Sequence, residues 1–242
     1  MTLSVKIVKR GFDPNDHKWF SEQSLIKLSI AQEEIEWLLD RNYKLSSILE
    51  FVGGHYQLSA RQRIALKRAT STELQYKKRK STMLPLEIAK NGCMHIDGFN
   101  LIITLEVALS GSPLIFGNDG VIRDLAGLRG TYKPIDKTDI ALQLIGNKLN
   151  QLEVPKVIFF LDSPVSNSGI LKSKITNLED TWKIPLKVEL VSNPDSILSK
   201  MERVVTSDSI ILDECKSWFN LSRKIIEENI NNPWIISFKN MH

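Results

Sequence analysis

Between residues 20 and 42, apolar side chains recur at Leu25, Leu28, Ile35, Leu38 and Leu39, the spacing of one helical stripe. Residues 45–52 predict a second, shorter helix stopped by Gly53-Gly54, and Ser59 is placed to cap a third over 60–68. The second and third loosely resemble a helix-turn-helix. Residues 75–82 read as a helix end passing into a linker. From residue 92 the grammar changes. Short apolar runs at 93–96, 157–161, 186–191, 203–206 and 234–238 alternate with helical stretches at 101–109, 138–152, 170–182, 195–201 and 209–230. That alternation predicts an α/β fold with a doubly wound, mostly parallel sheet over residues 91–242, preceded by an all-helical domain over 1–90. Segment 110–135 fits neither pattern. It holds five of the twelve glycines, with Arg123, Asp124 and Arg129 among them, and predicts an ordered loop or small hairpin laid over a site.

Several apolar runs meet an acid where they end. Met94-His95-Ile96 stops at Asp97-Gly98-Phe99-Asn100, Val157 to Leu161 stops at Asp162, and Val204-Val205 leads through Thr206-Ser207 to Asp208. Asp195 opens a helical turn just after the run ending at Val191. In a parallel sheet these points share the carboxyl edge, where open α/β folds place their ligands. Four carboxylates with no Cys or His cluster beside them suit hard cations such as Mg²⁺ or Mn²⁺. Taken singly, Asp162 or Asp208 reads equally well as a helix N-cap. His95 shares a strand face with Asp97, as a ligand, a general base or a core histidine, and Asp213 is a weaker fifth acid.

Of 242 residues, 42% are hydrophobic and 25% charged, which is ordinary for a globular chain able to bury a real core. No apolar run is long enough to span a bilayer and the N-terminus lacks a secretory core, so no membrane partner is expected and a cytoplasmic location is. Cys93 and Cys215 form no CxxC and read as small buried hydrophobes. The net charge of +4 hides an asymmetry: residues 1–90 carry 16 basic against 10 acidic residues, whereas 91–242 carry 16 against 18. The excess concentrates in Arg61, Arg63, Lys67, Arg68, Lys77, Lys78, Arg79 and Lys80, opposed only by Glu73. With Arg123 and Arg129 from the insert, these predict contacts to nucleic-acid backbone. The competing reading is a solvated lysine-rich face. Nothing in the pattern fixes the oligomeric state, which leaves a homodimer open.

Asp97-Gly98-Phe99-Asn100, Leu161-Asp162, Asn193-Pro194-Asp195-Ser196-Ile197 and Thr206-Ser207-Asp208, in that order, resemble the PIN-like superfamily of metal-dependent nucleases, and most of all its NYN branch. The resemblance covers roughly residues 92–238. The whole chain also resembles an archaeal and bacterial family joining a small helical domain to such a domain. The resemblance implies that Asp97, Asp162, Asp195 and Asp208 ligate one or two Mg²⁺ or Mn²⁺ ions, with Asn100 shaping the site, for water attack on a phosphodiester, with RNA the expected substrate. The alternative is a non-catalytic nucleic-acid-binding protein on the same scaffold, favoured by Ser209 where the family pattern has a basic residue and by the long insert. A phosphatase-like hydrolase is disfavoured, because Asp162-Ser163 lacks a second Asp two residues on.

Overall fold

The structure is a computed structural model that describes residues 8–127 and 130–239. It opens with five helices: α1 (Asp16–Trp19), α2 (Glu22–Leu39), α3 (Leu45–His55), α4 (Ala60–Ala69) and α5 (Glu73–Thr82). The Ser21 side chain caps α2 by accepting from the Ser24 N–H. Ser59 with Gln62, and Thr72 with Gln75, form reciprocal capping boxes that start α4 and α5. Two expectations change here. Gly53-Gly54 does not stop α3, which runs on to His55. A Cβ at Gly53 would meet the Arg63 Nε at 2.6 Å, so the glycine admits the side chain of α4 instead of ending a helix. Residues 75–82 are no linker but the body of α5, which the capping box at Thr72 initiates afresh.

The rest alternates as the pattern requires. In chain order it runs β1 (Met94–Asp97), α6 (Gly98–Leu109), β2 (Leu114–Phe116), β3 (Ile122–Asp124), α7 (Asp136–Gln151), β4 (Val157–Asp162), α8 (Ser168–Thr176), α9 (Glu179–Trp182) and β5 (Leu186–Val191). Then follow α10 (Pro194–Leu198), β6 (Val204–Val205), α11 (Ser209–Glu214), β7 (Trp218–Phe219), α12 (Leu221–Asn229) and β8 (Ile235–Ile236). Five strands form a wholly parallel sheet in the order β5-β4-β1-β6-β7. The single helix expected over 209–230 is broken because Trp218 and Phe219 are buried as an edge strand beside β6. The stretch 170–182 is likewise two helices, parted at Asn177-Leu178. The last strand, β8, belongs not to this sheet but to a second one, order β3-β2-β8, in which the insert forms the antiparallel β2–β3 hairpin.

Side chains of β4 alternate between two cores. Val157, Phe159 and Leu161 enter one with α6, α7, α8 and α12, whereas Ile158 and Phe160 enter another with Leu198, Ile211, Leu212 and Trp218. The N-terminal helices close a third core with Ile115, Leu125, Ile236 and Phe238, so the small sheet is the floor on which they sit. Among the described residues, no helix is long and apolar enough to cross a membrane.

Candidate metal and phosphate site

Parallel pairing fixes where the acids fall. Asp97 ends β1, Asp162 ends β4, Asp195 stands in the first turn of α10 after β5, and Asp208 caps α11 after β6. All four therefore lie at the carboxyl edge of one sheet and line a single cleft of about 150 Å³. Gly98 makes the arrangement tight: a Cβ there would meet Leu161 Cδ2 at 2.5 Å and the Phe160 carbonyl oxygen at 3.1 Å. Only glycine lets α6 start directly beside β4, with Asp97 buried in the cleft wall.

A hydroxyl ties two of the acids together. Thr206 Oγ1 donates to Asp97 Oδ2 at 2.8 Å and accepts from the Asp208 N–H at 3.0 Å. Asp208 Oδ1 accepts from the N–H groups of Ile210 and Ile211 at 2.8 and 3.3 Å, so this residue is an N-cap as well as a cleft residue. Asn100 Oδ1 accepts from both the Ser207 N–H and the Ser207 hydroxyl, each at 2.8 Å, and thereby pins the turn that carries Asp208. Burial, with smaller contributions from Asp208 and Asp195, pushes the Asp97 carboxyl up to about 7 against the pull of the Thr206 hydrogen bond. Burial also raises Asp195, helped by the charges of Asp208 and Asp162, and raises Asp162. Burial is the larger cause in all three, and the neighbouring carboxylates add to it only at Asp97 and Asp195. Among the described residues, no three Asp, Glu, His or Cys side chains stand close enough to share one ion directly. Oxygen donors at the rim of a small cleft still suit Mg²⁺, which keeps several waters and takes one or two carboxylates directly.

Two charged residues of the cleft were not assigned to it by the sequence pattern. Asp124, at the end of β3, lines it with 6% exposure, its carboxylate accepting from the Thr104 hydroxyl and the Ala126 N–H. Arg123 stands between it and the apolar pair Val121-Ile122, which hides the strand end that Asp97 and Asp162 display. Arg68 also lines the cleft, reaching it from α4. Arg123 explains how: its guanidinium donates to the Arg68 carbonyl (3.1 Å), the Ser207 carbonyl (2.8 Å) and the Asp119 carboxylate (3.0 and 2.6 Å). One buried arginine thus clamps the helical layer to the Thr206-Ser207-Asp208 turn.

That clamp corrects part of the expected nucleic-acid surface. Arg123, buried among these partners, cannot meet a backbone phosphate. Arg79 is 2% exposed and paired with Asp119 and Asp213, which also removes Asp213 from any metal set. Arg61 binds Asp16 and the carbonyls of Leu125 and Gly11, tying α4 to α1 and to the insert. Arg63 folds back on the Leu58 carbonyl at 3.1 Å. What faces solvent is a set of lysines, Lys67, Lys77, Lys78 and Lys80. Arg129 lies outside the described residues. His95 is not in the cleft lining; its Nδ1 lies 2.9 Å from the Glu202 carbonyl oxygen. Cys215 is buried, its thiol pushed up to about 11 by burial, and Cys93 is half-buried with its thiol raised for the same reason.

Two family models match separate stretches. One described as "Domain of unknown function (DUF5616)" matches residues 86–224, which include all five cleft acids; one described as "Protein of unknown function (DUF434)" matches 27–82, which include Arg68 and the exposed lysines. The chain is 35% identical over 182 residues to "Uncharacterized protein MJ0935" of Methanocaldococcus jannaschii, a stretch that covers 75% of this chain and 87% of the relative. No solved structure matches.

Proposed function

The chain belongs to the family described as "Domain of unknown function (DUF5616)", and from that premise we propose that it is a PIN-like, NYN-type nuclease that depends on a divalent metal and acts on RNA. The observation that carries this reading is the convergence of Asp97, Asp162, Asp195 and Asp208, from four separate junctions of a parallel sheet, on one small cleft that also receives Arg68. Helices against both faces of that sheet agree with the doubly wound form of such domains. Asp97, Asp162, Asp195 and Asp208 would hold Mg²⁺ or Mn²⁺, which when bound supplies positive charge for activating water and neutralising the reacting phosphate. The chain's own groups do the rest. The Thr206 hydroxyl and Asn100 keep Asp97 and Asp208 in fixed relation. Arg68 presents a guanidinium to a phosphate entering the cleft. Lys67, Lys77, Lys78 and Lys80 hold flanking backbone through charge alone.

A second reading has its own support. No three acids are preassembled around one ion among the described residues, as a non-catalytic RNA-binding relative on the same scaffold would have it. Incubation of the purified chain with RNA and DNA panels in Mn²⁺, against an EDTA control, separates the two. Metal-dependent cleavage that prefers RNA supports the nuclease. Binding of RNA with no cleavage in any metal moves the conclusion to the binding protein.

A further inference from the structure

Strand β6 is two residues long, so its ladder ends before the chain reaches Asp208. Side chains take over from there. The Ser207 N–H donates to Asn100 Oδ1 and the Asp208 N–H to Thr206 Oγ1. The carbonyls on either side of Asp208 are met by two buried arginines. Arg123 Nε donates to the Ser207 carbonyl at 2.8 Å, and Arg79 Nη2 to the Ser209 carbonyl at 3.4 Å. Neither comes from the main sheet: Arg79 belongs to α5 and Arg123 to the β2–β3 hairpin. Both also donate to one oxygen, Asp119 Oδ2, at 2.6 Å each. Gly117 makes the room, since a Cβ there would stand 2.5 Å from Arg123 Nη1.

We propose that Arg79 and Arg123 are positioning residues: they fix where Asp208 stands, and through it they set the affinity of the cleft for a divalent cation. The claim about the cation rests on the proposed function; the placement of Asp208 does not. Arg79 also donates from Nε to Asp213 Oδ1 at 2.7 Å. It therefore holds α11, the helix that Asp208 caps, near both of its ends. Groups that hold a metal ligand in place tune the affinity of the site. Charge balance lets arginines do this beside a cation site. Two bare guanidinium groups behind the cleft would repel an entering ion. Asp119 and Asp213 neutralise them, so the pair supplies directed donors with little net charge. The helical layer and the insert thus complete a site whose acids the main sheet alone does not hold.

Arg79→Lys and Arg123→Lys in the full chain test this. Each keeps a cation against Asp119, but one ammonium lacks the fork that serves carboxylate and carbonyl together. Mn²⁺ affinity, read from the spin resonance of the free ion with Asp97→Asn as the blank, should fall about 10- to 100-fold in each. Without metal, amide hydrogen exchange should quicken at Ile210 and Ile211, whose N–H groups donate to Asp208 Oδ1. Ile48→Ala, a truncation in the core of the N-terminal helices, should lower the melting temperature and change neither readout. Wild-type affinity and exchange in the folded lysine variants overturn the proposal, as does an Ile48→Ala variant that moves both equally. Failure of both lysine variants to fold also overturns it, because the arginines then hold the fold and not the site. A wild type that binds Mn²⁺ no better than Asp97→Asn defeats the proposed function and the affinity claim with it. Exchange at Ile210 and Ile211 then still decides whether the arginines place Asp208.

Discussion

Replacing Asp97 by asparagine should stabilise the metal-free protein above neutral pH, and the size of the effect follows from where the carboxyl sits. In the folded chain Asp97 holds its proton up to about pH 7; released from the fold it loses it near 3.8. Between those values the folded state binds more protons than the unfolded one, so stability falls as pH rises through that window. Below it the two states are protonated alike and the penalty vanishes; above it the penalty is complete. At about 1.4 kcal/mol per pH unit, the full cost approaches roughly 4 kcal/mol at pH 8, and about 2.7 kcal/mol of it accrues between pH 5 and 7. Asparagine keeps an oxygen to accept from Thr206 Oγ1. It brings a buried amide N–H in need of a partner, at about 1–3 kcal/mol. The net gain at pH 8 is then about 1–3 kcal/mol, and at pH 5 it disappears or reverses. Guanidinium unfolding of both proteins in EDTA at pH 5, 7 and 8 measures this. Equal pH slopes for wild type and Asp97→Asn would mean instead that Asp97 ionises in the fold as it does outside it.

The other expectations concern the groups around Asp97. Arg68→Gln should lower cleavage about 100-fold with little change in stability, since it removes one charged donor from the cleft; single-turnover rates check this, and an unaltered rate removes Arg68 from the site. Charge reversal of Lys77, Lys78 and Lys80 together, leaving Arg79 in place, should weaken RNA binding and reduce the slope of log K against log salt by about 0.7 for each phosphate of a single strand that is no longer neutralised. Arg79→Glu should instead destabilise by about 3–5 kcal/mol, as it leaves buried Asp119 without one of its cations; a well-folded Arg79→Glu would return that residue to the surface set. Gly98→Ala should cost about 1–3 kcal/mol through collision with Leu161 and Phe160, read as a shifted denaturation midpoint.

The parallel sheet and its acids were legible because period and punctuation agreed. Leu186–Val191 and the run at 157–162 lie where apolar residues cluster between turn signals, and Asp97 and Asp162 close their strands. What escaped was decided by packing at a distance. Gly53 looks like a stop until Arg63 is seen filling the space beside it. Arg61, Arg79 and Arg123 look like a phosphate-binding face until buried Asp16 and Asp119 take their guanidinium groups. Sequence spacing on a helix shows which charges are neighbours, not which are turned inward. Residues 218 and 219 read as helix because two apolar residues are too few to signal a strand, and only the edge of β6 makes them one. The strand at 235–236 was visible, but its place beside β2 depended on the hairpin folding out of segment 110–135.

If Asp97 anchors a metal-dependent phosphodiesterase cleft, cleavage of RNA must depend on it, which wild type and Asp97→Asn, purified identically and assayed in Mn²⁺, will show. The wild type should cleave RNA in a reaction that EDTA abolishes, and Asp97→Asn should not, while remaining folded and still binding RNA through its exposed lysines. Equal cleavage by both proteins, or loss of activity only because Asp97→Asn fails to fold, would contradict it.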